Sequence, residues 1–131
     1  LVVASTAEFG DRQRFEGLLR QIGDAYAAAR ASAICRHQVI EVRYDPRNGK
    51  ITASSGGSSP EAMTEMIDLP GEVTIVSVSP STVEEVITMP IGPDGMGRSH
   101  QIVLRWNDVL RGTVAVNGFT GQCAIRVDET P

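Results

Sequence analysis

One amphipathic period governs the first third of this chain. Phe15, Leu19, Ile22, Tyr26, Ala29 and Ala33 recur at alternating steps of four and three, with Leu18 and Ala25 widening the stripe, the spacing of one buried face on an α-helix. Arg12, Arg14, Glu16, Arg20, Asp24 and Arg30 fall off that stripe, on the face left to solvent. The spacing predicts a helix from Ser5 to His37. Such a face must be covered, and everything after it reads as short strands, so the fold class is α+β, a long N-terminal α-helix packed on antiparallel β-sheet. Ser5-Thr6-Ala7-Glu8 has the form of a capping box, but the apolar Leu1 to Ala4 ahead of it reads as the tail of a longer helix.

The 131 residues suit a single domain, with the helix over 1–37 and a β-rich part over 38–131, and 41% hydrophobic content is enough for a core if helix and sheet cover each other. Val39 to Tyr44 alternates as a half-buried strand, Asp45 to Lys50 supplies turn chemistry, and Ile51 to Ala53 returns as its partner. Ser54 to Pro60 has the composition of a surface loop. Glu61 to Asp68 is expected to form one or two helical turns with Met63, Met66 and Ile67 inward, ended by Leu69-Pro70-Gly71. Further strands are expected at Val73 to Val78, at Glu85 to Met89 where Pro90 closes the run, at Gln101 to Trp106 and at Gly112 to Val116. A final hairpin turning at Asn117 to Gly121 brings the expectation to about seven strands.

Catalytic chemistry finds little footing. Ser99-His100, His37, Cys35 and scattered carboxylates are the pieces a hydrolase would use, but none sits in a recognisable catalytic frame. His37 at the helix end suits the negative end of the helix dipole, and His100 flanking a strand reads as solvated. Glu84, Glu85 and Asp94 are too sparse for a calcium loop, and Gly92 to Gly97 lacks the ending of a phosphate loop and reads as a wide turn. No metal and no cofactor is expected. A net charge of -4, with helix arginines countered by Asp11, Glu16 and Asp24, gives no general attraction to nucleic acid. No run approaches the roughly 20 apolar residues of a membrane helix, so the sequence as it stands reads as soluble.

Cys35 and Cys123 make an even pair that one disulfide would satisfy in an oxidising compartment. Cys35 lies roughly 200° around the helix from Phe15, however, while Cys123 shares a strand face with Ile125 and Val127, so two unpaired thiols explain the pattern equally well.

Three stretches carry a family resemblance. Ala27 to Val39 (AAARASAICRHQV) is similar to the helix end of the type IV pilin-like proteins, specifically the H-type minor pseudopilins of type II secretion and their FimT-like relatives. Thr88 to Gly95 (TMPIGPDG) resembles their Phe-x-Pro-x-Gly loop with Met89 in the aromatic position, and Val114 to Gln122 (VAVNGFTGQ) resembles their closing Val-x-Val-x-x-x-Thr-Gly hairpin. The family's processing site and membrane helix are absent, and Leu1 to Ala4 is read as the end of that missing helix. The resemblance implies a structural subunit without enzymatic activity, anchored in the inner membrane through the missing helix and processed by a prepilin peptidase. It implies assembly in the periplasm with other major and minor pseudopilins or pilins, in a filament that acts in protein secretion. Phe9, Asp11 and Arg12, less committed to the core, become the expected subunit interface. The loops Ser54 to Pro60 and Ile91 to Gly97 become contact surfaces for other subunits or secreted cargo. The alternatives are a pilin-fold module that captures an external ligand such as DNA and, behind it, a small hydrolase.

Overall fold

Helix α1 spans Val2–Arg36, and its apolar stripe is its buried face: Phe15, Leu19 and Ala33 have no exposed surface, and Ile22, Tyr26 and Ala29 almost none. The computed structural model describes residues 2–55, 64–79 and 86–129, and side chains over 10–55, 66–79 and 86–129. Ser5 to Glu8 lie inside the helix rather than at its start, because helical backbone continues to Val2. At the other end His37 takes a left-handed conformation (φ 53°). Gln38 N donates to Ala33 O at 3.2 Å and His37 N to Ile34 O at 3.4 Å. This pair of bonds is a Schellman stop, with a histidine where glycine usually stands.

Among the described residues eight strands follow, in two antiparallel four-stranded sheets. The first contains β1 (Ile40–Asp45), β2 (Lys50–Ser55), β3 (Thr64–Asp68) and β5 (Ile87–Ile91), in the order β3-β2-β1-β5. The second contains β4 (Val73–Ser79), β6 (His100–Trp106), β7 (Leu110–Val116) and β8 (Cys123–Glu129), in the order β4-β6-β7-β8. Two expectations are corrected. Thr64–Asp68 is a strand laddered onto β2, not a helical turn. One buried Ile67 beside a half-exposed Met66 fits either period, and the ladder decides the outcome. Met63 and residues 56–63 generally lie outside the described residues, as does Pro60 of the serine-rich loop. Pro90 does not close its strand but sits within β5, opposite Glu41. β5 is an edge strand, where a missing N–H need not break a ladder.

The helix lies over both sheets and runs antiparallel to β8. Arg12 Nη2 donates to Val127 O at 3.0 Å, and eleven residues later along the helix Gly23 O lies 3.9 Å from Cys123 Sγ. Close approach is possible because of specific glycines. A Cβ on Gly112 would come within 2.6 Å of Phe15 Cζ, and one on Gly23 within 3.1 Å of Cys123 Cβ. Phe15 then meets Trp106 with ring centroids 5.8 Å apart. The domain therefore has two poles. The turn between β6 and β7 sits near the level of Phe15, and the loop after β5 and the turn between β7 and β8 sit beside the C-terminal end of α1.

Candidate functional site

At the C-terminal pole three elements are tied together by polar contacts. Ile91 bridges to Gly97 across the loop, Gly92 N donates to Met96 O at 2.8 Å, and Asp94 Oδ1 accepts from Met96 N at 3.0 Å. The β7–β8 turn is built on Asn117, whose Oδ1 accepts from Phe119 N and Thr120 N at 2.9 and 3.3 Å, while Gly121 N donates to Asn117 O at 2.8 Å. The two turns bond to each other: Gly97 N donates to Gly118 O at 2.8 Å, and Ser99 Oγ accepts from Gly118 N at 2.9 Å. Arg30 reaches across from the helix, with Nε donating to Gly95 O at 3.1 Å and its aliphatic stem lying where a Cβ on Gly121 would sit. Gly95 and Gly121 both have positive φ (82° and 75°), so backbone geometry and the close approach of α1 both favour glycine there.

Beneath this surface lies a buried aromatic and imidazole cluster. His100, 5% exposed, is held at both ring nitrogens, with Nδ1 2.7 Å from Arg98 O and Nε2 2.7 Å from the Tyr44 hydroxyl. A carbonyl only accepts, so Nδ1 carries the proton and Tyr44 donates to Nε2. Burial pushes the His100 pKa down from its usual value, partly opposed by the Arg98 carbonyl bond. Burial also raises the pKa of Tyr44 strongly, and that of Tyr26, whose ring meets His100 edge-on at 5.4 Å. Tyr26 Oη is buried and has no hydrogen-bond partner among the described residues. The arrangement holds a neutral imidazole in one tautomer as a pin between β1 and β6.

This overturns the expectation that His100 is solvated. In the alternation His100, Ile102, Leu104, Trp106 it occupies the inward face, and burial follows from that register. Ser99 Oγ is not bonded to His100 but accepts from Gly118 N, and His37 serves the helix stop. Glu84 and Glu85 lie outside the described residues, and no group of three His, Cys, Asp or Glu that could hold a metal occurs among the described residues.

Cys35 and Cys123 are both free. Cys123 packs against Gly23, whereas Cys35 stands twelve residues further along the helix, about 18 Å away at 1.5 Å per residue, too far for a bridge. Burial raises the Cys123 pKa, with Asp24 adding to it, so this thiol is not activated.

The expected interface residues separate. The Phe9 side chain lies outside those described. Asp11 is half exposed and pairs with Arg14 at 3.6 Å. Arg12 pairs with Glu16 at 3.5 Å and also supplies a donor to the Val127 carbonyl of edge strand β8, so it contacts the domain while its side chain stays partly exposed. Its partner lies 115 positions away. No local sequence pattern reveals that bond, whereas the inward position of His100 was open to a period-two reading. Among the described residues no helix is long and apolar enough to cross a membrane. Comparison with known proteins finds no matching family model, no matching curated protein and no matching solved structure.

Proposed function

We propose that this chain is a non-catalytic structural subunit of a pilin-like filament, a type II secretion pseudopilus or a type IV pilus-like assembly, acting in protein secretion. The observation that carries the reading is the use made of α1. Its 35 residues run from Val2 to Arg36, and among the described side chains, which begin at residue 10, the first in the core is Phe15. Val2 to Arg14 is about 20 Å of helix, and among its described side chains Arg12 bonds to β8. A helix that outruns its own core can give its leading part to neighbours, and Asp11 and Arg14 there supply surface charges that set register more than affinity. The three motif resemblances at the helix end, the loop after β5 and the closing hairpin support the same reading. In it, the full protein is anchored in the inner membrane by an upstream helix, is processed by a prepilin peptidase, and meets other pilins or pseudopilins in the periplasm.

The test is in-cell photo-crosslinking from a residue analogue placed at Phe9 or Asp11 of the whole gene product. Crosslinks to other subunits with an apolar leading helix are expected. Crosslinks to no such protein, together with unchanged secretion after gene deletion, would overturn the reading.

A further inference from the structure

We propose that this chain binds a second copy of itself head to tail, an apolar knob at the C-terminal pole of one copy seating in a groove on the opposite flank of the next. The inference rests on the filament reading and names the contact within it. The knob is Phe119 with Met96. Phe119 is 65% exposed and Met96 43%, and each is the chain neighbour of one end of the Gly97–Gly118 backbone bond, which brings the two positions together. Neither is on a floppy loop. The bonds to Asn117 Oδ1, Asp94 Oδ1 and Ser99 Oγ fix both turns, and Arg30 braces one of them from behind. Rigid display of an aromatic lowers the entropy cost of binding, which distinguishes this pair from apolar residues scattered singly over a surface.

The groove lies between the N-terminal half of α1 and the segment joining β3 to β4, with a volume of about 510 Å³. Trp106, Leu18, Met66 and Pro70 supply apolar lining, and Gly17 opens one wall, since a Cβ there would meet nothing within 4 Å. Glycine inside a helix is less favourable than alanine, and nothing among the described residues requires it at position 17. Two exposed carboxylates, Asp68 and Glu72, edge the groove opposite Arg14. The knob carries the opposite balance: Arg98 is exposed beside it and Arg30 lies next to Gly95, two cations against the one local carboxylate, Asp94.

Placement gives the symmetry. At 100° per residue, Arg30 and Ile34 on the knob flank point roughly 170° away from the mean direction of Arg14, Gly17, Leu18 and Gln21 on the groove flank. The two features are also offset by about 20 Å along the helix. Complementary patches so displaced cannot pair two-fold, and they repeat as an open chain with a rise along α1.

Two variants break the contact from opposite sides. Phe119→Asp removes the knob, and Gly17→Leu fills the groove at a helical position with room for the side chain. Circular dichroism checks that both are folded. In sedimentation velocity, concentration-dependent association is expected for the parent chain, and association about tenfold weaker or more for each variant alone. An equimolar mixture of the two, in which one chain keeps the groove and the other the knob, should form a dimer and nothing larger. Arg98→Glu should weaken association and Glu72→Arg in the same chain should restore it. A parent chain that stays monomeric to about 1 mM, a variant that associates like the parent, or a mixture without dimer overturns the proposal. Such a failure leaves crosslinks from Phe9 and Asp11 intact, and missing crosslinks leave the complementation result intact, so the two readings fail separately.

Discussion

Tyr44→Phe deletes one oxygen from the middle of the domain and tests the cluster beneath the C-terminal pole. Tyr44 and His100 are 1% and 5% exposed, and the deleted hydroxyl is the donor to His100 Nε2 at 2.7 Å. With Nδ1 bound to Arg98 O, the imidazole cannot turn to use its other edge. Nε2 becomes a buried acceptor without a donor, which costs about 1–3 kcal/mol, more than the net worth of an ordinary hydrogen bond. For a domain of this size that is a fall in Tm of about 3–15 °C. Trp106 is 6% exposed and is the single tryptophan, so its fluorescence reports urea unfolding directly. The midpoint should fall with an unchanged denaturant slope, since the surface exposed on unfolding is the same. Nitrogen NMR of the parent should show His100 neutral and protonated at Nδ1. A loss below about 0.5 kcal/mol, the size of an ordinary surface change, would refute the account of a stranded acceptor.

The other predictions concern single positions. His100 has its pKa lowered in the fold by burial, so its contribution is complete above the unfolded value of about 6.5 and is lost as pH falls below it; the urea midpoint should drop between pH 7.5 and 5, and a flat profile would count against the buried site. Asp45, held low by its bond to Asn48, acts in a separate and more acidic window, its contribution present above about 3.9 and lost below. Gly112→Ala should destabilise by about 1–3 kcal/mol through overpacking against Phe15 and Leu19, whereas Gly17→Ala should stabilise by up to about 1 kcal/mol, both read by chemical denaturation. His37→Gly should raise stability by about 1 kcal/mol by relieving a left-handed residue that has a Cβ, and a loss instead would show that the imidazole makes a contact that matters.

How far the sequence could be read depended on whether a feature is local. The stripe from Phe15 to Ala33 was legible because one face of one helix is buried along its length, and every predicted member is in the core. The first and last hairpins were legible for a similar reason, since Asn48-Gly49 and Asn117-Gly118 mark turns within a few residues of the strands they join. β3 was misread because five residues with one buried apolar side chain carry too little period to separate strand from helix. The bond from Arg12 to Val127 and the docking of Gly97 on Gly118 link residues far apart in sequence, one through a side chain onto a carbonyl and the other through backbone alone, so residue types at either end carry no signal of them. The two cysteines posed a question that only the position of β8 against α1 answers.

The interleaving of β4 and β5 has a consequence for synthesis. β4 belongs to the second sheet but precedes β5, which completes the first. A chain emerging N-terminus first can therefore pair all of the first sheet once Ile91 is available, while Val73–Ser79 must wait for β6, which ends at Trp106. Translation at about 5–20 residues per second makes that wait seconds long. During it an apolar, β-branched segment with unpaired backbone is held beside a finished sheet. Slowing translation after Ile91 should lengthen this exposure and raise aggregation, whereas slowing it before Val73 should not.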